Sequence, residues 1–145
     1  MTEIGFYHLT RSALGQALPQ LLGRTLAAGQ RALVVGKPAG LEALSAALWS
    51  QPAWLPHGLA ADGDADLQPI WLAADAEAVN GARFLFLVEG ADTDRINAFE
   101  RVFDLFDGNQ PEEVAAARLR WKSAKEAGHI LAYWRQTETG WQKKA

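Results

Sequence analysis

The residues Gly36-Lys37-Pro38-Ala39-Gly40 stand between an apolar run and a helical pattern, where a phosphate cradle would sit. Such a cradle needs several glycines ahead of the lysine and a Ser or Thr directly behind it, so that backbone N–H groups wrap the phosphates and a hydroxyl meets magnesium. Here Pro38 follows Lys37 and removes a donor, so a plain strand-to-helix turn is the better reading. Asp62, Asp64 and Asp66 imitate the opening of a calcium loop, but its sixth and twelfth positions hold Leu67 and Ala73 in place of Gly and Glu. They read as a solvated surface loop. His8, His57 and His129 have no ligand-spaced partners, and Ser12, Ser45, Ser50 and Ser123 lie outside any Gly-x-Ser-x-Gly elbow. Neither a metal site nor a catalytic set is indicated, and no cofactor is expected.

A positive signal lies further along. Arg118, Trp121, Lys122 and Lys125 are spaced i, i+3, i+4 and i+7, so on a helix they share one stripe, and no acid falls between 118 and 125. An arginine fork beside an aromatic platform can hold a carboxylate and an apolar side chain together. The competing reading makes Val114, Ala117, Trp121 and Ala124 the buried stripe and the cations a solvated edge that complements the helix dipole. Spacing alone favours that plainer reading, since such a helix must bury one stripe. Two further observations favour a binding surface. The chain has six tryptophans, Trp49, Trp54, Trp71, Trp121, Trp134 and Trp141, and tryptophan and arginine are enriched where binding energy concentrates. Charge is also uneven: residues 1–117 hold seven Lys/Arg against fifteen Asp/Glu, or −8, and residues 118–145 hold seven against two, or +5. Such a basic end attracts an anionic partner, either nucleic acid or an acidic peptide.

The elements that must position these residues follow from periodicity. Ile4–Leu9 reads as a first strand, and Leu14, Leu18, Leu21, Leu22 and Leu26 as the face of a helix stopped by Gly29. Residues 31–35 form a β-branched strand, and Leu41, Leu44, Ala47 and Leu48 face a second helix. Segment 50–68 reads as an irregular or edge-strand excursion. Strands are expected over 68–72 and 83–88, and the second is apolar throughout, as for a strand covered on both faces. Ile96, Phe99, Val102, Phe103 and Phe106 predict a short amphipathic helix over 95–106. Pro111, Glu112, Glu113, Lys122, Lys125 and Gly128 predict a helix over 111–127, with each residue type at the end that suits it. Residues 130–135 and 141–144 suggest a terminal hairpin. The alternation predicts an α/β fold, a Rossmann-like three-layer α/β/α arrangement with a mainly parallel central sheet, as one domain over residues 1–145.

At 145 residues the chain is long enough to bury a core without staples, and the absence of cysteine excludes disulfides, thiolate zinc sites and a cysteine nucleophile. No signal-peptide pattern or bilayer-length apolar run is present, so no membrane partner and a cytoplasmic location are expected.

Several stretches, in order along the chain, carry a family likeness. Phe6-Tyr7-His8-Leu9, then Ala47-Leu48-Trp49 followed by Leu55-Pro56-His57-Gly58-Leu59-Ala60, then Phe99 to Asp107, then Ala117-Arg118-Leu119-Arg120-Trp121-Lys122 with Gly128 resemble the chi subunit of bacterial DNA polymerase III holoenzyme. The resemblance implies an α/β accessory subunit without catalytic activity, which pairs with the psi subunit of the clamp-loader assembly and binds the C-terminal tail of single-stranded DNA-binding protein. That tail is acidic and ends in an apolar residue with a free carboxylate. The likeness implies that Arg118 and Lys122 meet its acidic groups while Trp121, Trp49 and Trp54 wall an apolar pocket; Val114 and Lys125 are further candidate partner-binding residues. Trp121 stands where the family can have tyrosine, and Val114 where some members have lysine. No psi-binding surface carries over residue by residue. The alternative is a module that binds single-stranded nucleic acid directly, with cations along the backbone and indoles stacked on bases; the adaptor reading implies that direct DNA binding is weak or absent.

Overall fold

The computed structural model describes residues 2–50, 55, 57–59, 68–77 and 80–145. Trp54, Pro56, Ala60 and the three aspartates at 62, 64 and 66 lie outside them. The elements run β1 (Glu3–Leu9), α1 (Leu14–Ala27), β2 (Ala32–Val35), α2 (Pro38–Trp49), β3 (His57–Leu59), β4 (Ile70–Ala73), β5 (Phe84–Val88), a 3₁₀ turn at Ile96–Ala98, β6 (Arg101–Asp107), α3 (Pro111–Glu126), β7 (Ile130–Thr137) and β8 (Gly140–Lys143). The strands join in one sheet of order β3-β4-β2-β5-β6-β1-β7-β8. Every pairing is parallel except the closing β7–β8 hairpin.

Strand alternation sends side chains to two cores, one on each face. Leu18, Leu21 and Leu22 of α1 and Leu41, Leu44 and Leu48 of α2 pack with Val34, Leu72, Phe86 and Leu105 on one side. Ala117 and Ala124 of α3 pack with Phe6, Leu33, Leu85, Val102 and Phe106 on the other. The result is the expected α/β/α sandwich with a mostly parallel sheet. Crossovers that change direction along the sheet must change face if each is right-handed, which explains why α1 and α2 share one side and α3 takes the other.

One expected helix is a strand. Residues 95–106 form the short 3₁₀ turn and then β6, which lies between β5 and β1 with Val102 to Phe106 all buried. A central strand covered on both faces is apolar almost continuously, and a short run of that kind has no period that separates it from a helix. Asn97, Glu100, Arg101 and Asp104 interrupt the apolar residues and give the run its helical spacing, although Asp104 is itself buried.

Local chemistry sets the ends of the helices. Both α1 and α3 end in a left-handed glycine, Gly29 at φ +76° and Gly128 at φ +84°. In each case the glycine N–H and the next N–H bond back to the last turn, Gly128 to Lys125 O at 3.1 Å and His129 to Ala124 O at 3.2 Å. At the start of α2, Gly40 leaves room for the carboxylate of Glu89: a Cβ there would lie 2.1 Å from Oε1. The chain's own anion thus attends the helix start that the phosphate-loop reading had considered. The loop after β1 is fastened by Gln136 of β7, whose Oε1 accepts the N–H groups of Thr10, Arg11 and Ser12 at 3.3, 3.0 and 3.0 Å. Its Nε2 donates to Ser12 Oγ at 2.6 Å. Among the described residues no helix is long and apolar enough to cross a membrane.

Candidate partner-binding site

Helix α3 lies over β6 and β7, and its residues divide by face. Ala117 and Ala124 are buried, while Val114 and Trp121 are partly buried against the same core. The four therefore form the inward stripe that the plainer reading anticipated. Small residues at 117 and 124 let the helix backbone approach the sheet closely, and Trp121 fills the space at its margin. Its ring meets Phe6 edge-on at 5.2 Å and Tyr133 at 5.9 Å. Arg118, Lys122 and Lys125 flank that stripe and are all exposed. Among the described residues none of the three has a carboxylate within ion-pair distance.

Arg120 is different from its basic neighbours. It points under the helix to Asp104 of β6, with Nε donating to Oδ2 at 2.6 Å and Nη2 to Oδ1 at 3.0 Å. The side chains are 10% and 3% exposed. Burial pushes the Asp104 carboxyl up, with the Arg120 hydrogen bonds and charge pulling against it. This fork fastens α3 to the sheet and takes Arg120 out of the surface charge.

The structure adds a set of residues that sequence spacing does not assemble. On the α3 face of the sheet, His8 of β1 lies opposite Arg135 of β7 in register, and Tyr133 is its neighbour on that strand. His8 Nδ1 and the Tyr133 hydroxyl are 2.5 Å apart. Phe106 lies beneath both, 5.0 Å from the His8 ring and 6.2 Å from the Tyr133 ring. Gly108 makes room for the imidazole, since a Cβ there would meet Nε2 at 2.1 Å. Burial, then Arg135 and Arg118, hold the His8 pKa below its ordinary value, and Asp107 opposes them. Burial raises the Tyr133 pKa against the pull of the same two arginines. Both guanidinium groups thus act on one imidazole–phenol pair, beside an aromatic floor of Phe6, Phe106 and Trp121. Arg135 is exposed and, like Arg118, has no carboxylate partner among the described residues.

Trp49 does not join this group. It ends α2 on the opposite face, beside edge strand β3, and is 60% exposed. Its indole lies against His57 at 4.3 Å. The sheet stands between Trp49 and Trp121, so one pocket walled by both is not formed. His57 is itself held within the fold. Its Nδ1 pairs with Leu55 O at 2.8 Å and its Nε2 with Ser45 Oγ at 2.9 Å, with both side chains buried. With both ring nitrogens hydrogen-bonded inside the fold and no carboxylate on Nδ1, this Ser–His pair has the form of a satisfied core histidine and not of a catalytic triad. His129 accepts the Thr2 N–H at 3.3 Å and fastens the start of the chain to the end of α3.

No curated protein matches the chain. A family model described as DNA polymerase III chi subunit, HolC, matches residues 1–132 and so covers β1 through α3 and the start of β7. That match makes the protein an accessory subunit associated with DNA polymerase III, and places it in DNA replication. The chain belongs to the chi-subunit family of DNA polymerase III.

Proposed function

We propose that this chi subunit is a non-catalytic adaptor of the clamp-loader assembly, which pairs with the psi subunit and holds the acidic C-terminal tail of single-stranded DNA-binding protein on α3. The observation that carries the reading is the row of cations Arg118, Lys122 and Lys125, with no ion pair among the described residues, beside the half-buried Trp121. Cations with no carboxylate of their own attract one from outside, and the indole margin suits the apolar residue at the end of such a tail. The exposed Trp49 lies on the far face of the sheet, apart from α3.

Direct stacking on single-stranded nucleic acid has less support, because that mode needs a succession of exposed rings along the cationic groove. Trp121 is wedged edge-on between Phe6 and Tyr133, Trp71 is buried, and Trp134 and Trp141 pack around Tyr7 on the other face.

Arg118→Ala tests the reading. A charge-assisted hydrogen bond contributes roughly 1.5–3 kcal/mol. Since Arg118 is solvated before the tail arrives, the expected loss is about tenfold, toward the low end of that range. Calorimetry with an acidic peptide ending in a free phenylalanine carboxylate measures it; unchanged affinity removes Arg118 from the site.

A further inference from the structure

We propose that His8, Tyr133 and Arg135 extend the Arg118 site into a two-guanidinium clamp for a peptide's terminal carboxylate, and that the imidazole makes the clamp proton-dependent. This rests on the reading of α3 as a tail-binding surface and assigns it further residues. Tyr133 and Arg135 lie beyond residue 132, where the family match ends.

The geometry supplies the mechanism. The register places His8 opposite Arg135, and the ring's Nδ1 meets the Tyr133 hydroxyl. With His8 neutral and its hydrogen on Nε2, the phenol O–H donates to Nδ1 and is occupied. When His8 takes up a proton, Nδ1–H donates to the phenol oxygen, and the Tyr133 O–H is released to turn to an anion. The same proton adds positive charge near Arg135 and Arg118, which both disfavour it, and an arriving anion offsets that repulsion. The groups that face His8 are Arg118 from α3, Tyr133 and Arg135 from β7, and Phe106 and Asp107 from β6. Asp107 alone among them favours the imidazolium, so free His8 is biased to the neutral form. A carboxylate bound between the arginines reverses that bias. Proton uptake and carboxylate binding therefore promote each other, as linkage requires.

The experiment is a fluorescence-anisotropy titration of the full chain with an acidic peptide ending in a free carboxylate, and with the same peptide as its C-terminal amide, at pH 8.0 and pH 5.5 and fixed salt. The free-acid peptide is expected to bind about threefold more tightly at pH 5.5, which requires the His8 pKa to rise by at least about half a unit on binding. In His8→Gln and Tyr133→Phe the ratio of the affinities at pH 5.5 and pH 8.0 should fall below the parent's by about threefold, whatever each variant's affinity at pH 8.0. Both variants leave the ring floor or the β1 backbone in place, and titration of the peptide's own carboxylates is common to all. Arg135→Ala should weaken the free acid about threefold to tenfold and the amide little. The proposal is overturned if His8→Gln retains the parent's pH dependence, or if Arg135→Ala affects acid and amide equally. Absence of binding at either pH overturns the reading of α3 on which it rests.

Discussion

The two faces of the sheet are built by different means. On one, α1 and α2 bury six leucines in a continuous apolar layer. On the other, α3 buries two alanines, half-buries Val114 and Trp121, and relies on the Arg120–Asp104 fork. Leucine packing is non-directional and tolerant, and contributes stability without fixing a rotation. A bidentate ion pair and an edge-on ring contact are directional, so they set which side of α3 faces the sheet. The face that presents its cations to solvent is thus the one held by oriented contacts.

The largest effect should come from breaking the fork. Arg120→Met leaves a buried carboxylate without its partner and should destabilise by about 3–5 kcal/mol, whereas Asp104→Leu with Arg120→Met should restore most of that loss. Urea unfolding of both variants measures the contrast; equal stability of the single and double variants would deny the fork its role. On the other face, Leu22→Ala should cost about 2–5 kcal/mol through the cavity it leaves, with no change in affinity for an acidic peptide. An affinity change there would show that the two faces are coupled. The smallest effect concerns His8. Its folded pKa is lowered, so the neutral ring stabilises the fold above its unfolded value near 6.5, and this contribution is lost as pH falls through the folded value. Arg118→Ala should raise the His8 pKa, and NMR titration of the ring protons reads the shift directly.

Much of the fold is legible because its signals are local. Leucine spacing marks α1 and α2, Pro111 and Gly128 bracket α3, and the β7–β8 hairpin follows from the turn residues between its strands. Strand β6 escapes because burial on both faces erases the period of two. Asp104, one acid in that apolar run, was the available clue, since a buried carboxylate demands a cation. The row of Arg118, Lys122 and Lys125 is likewise visible as helix spacing. The same spacing sets Arg120 two residues from Arg118 and so on another side of the helix. His8 and Arg135 become neighbours only through parallel pairing across 127 residues of chain, which no local pattern carries. The family likeness puts Trp49 and Trp121 in one pocket, and the sheet separates them.

The first strand lies between β6 and β7, with Gln136 bonded to the loop that follows it. A ribosome must therefore deliver the chain through Gln136 before β1 can be enclosed between β6 and β7, and loop closure of that span is slow compared with local helix formation. The surface that unites residues 8, 118 and 135 comes into being only with that last step. Fragments left by arrested synthesis before residue 135 would lack that surface.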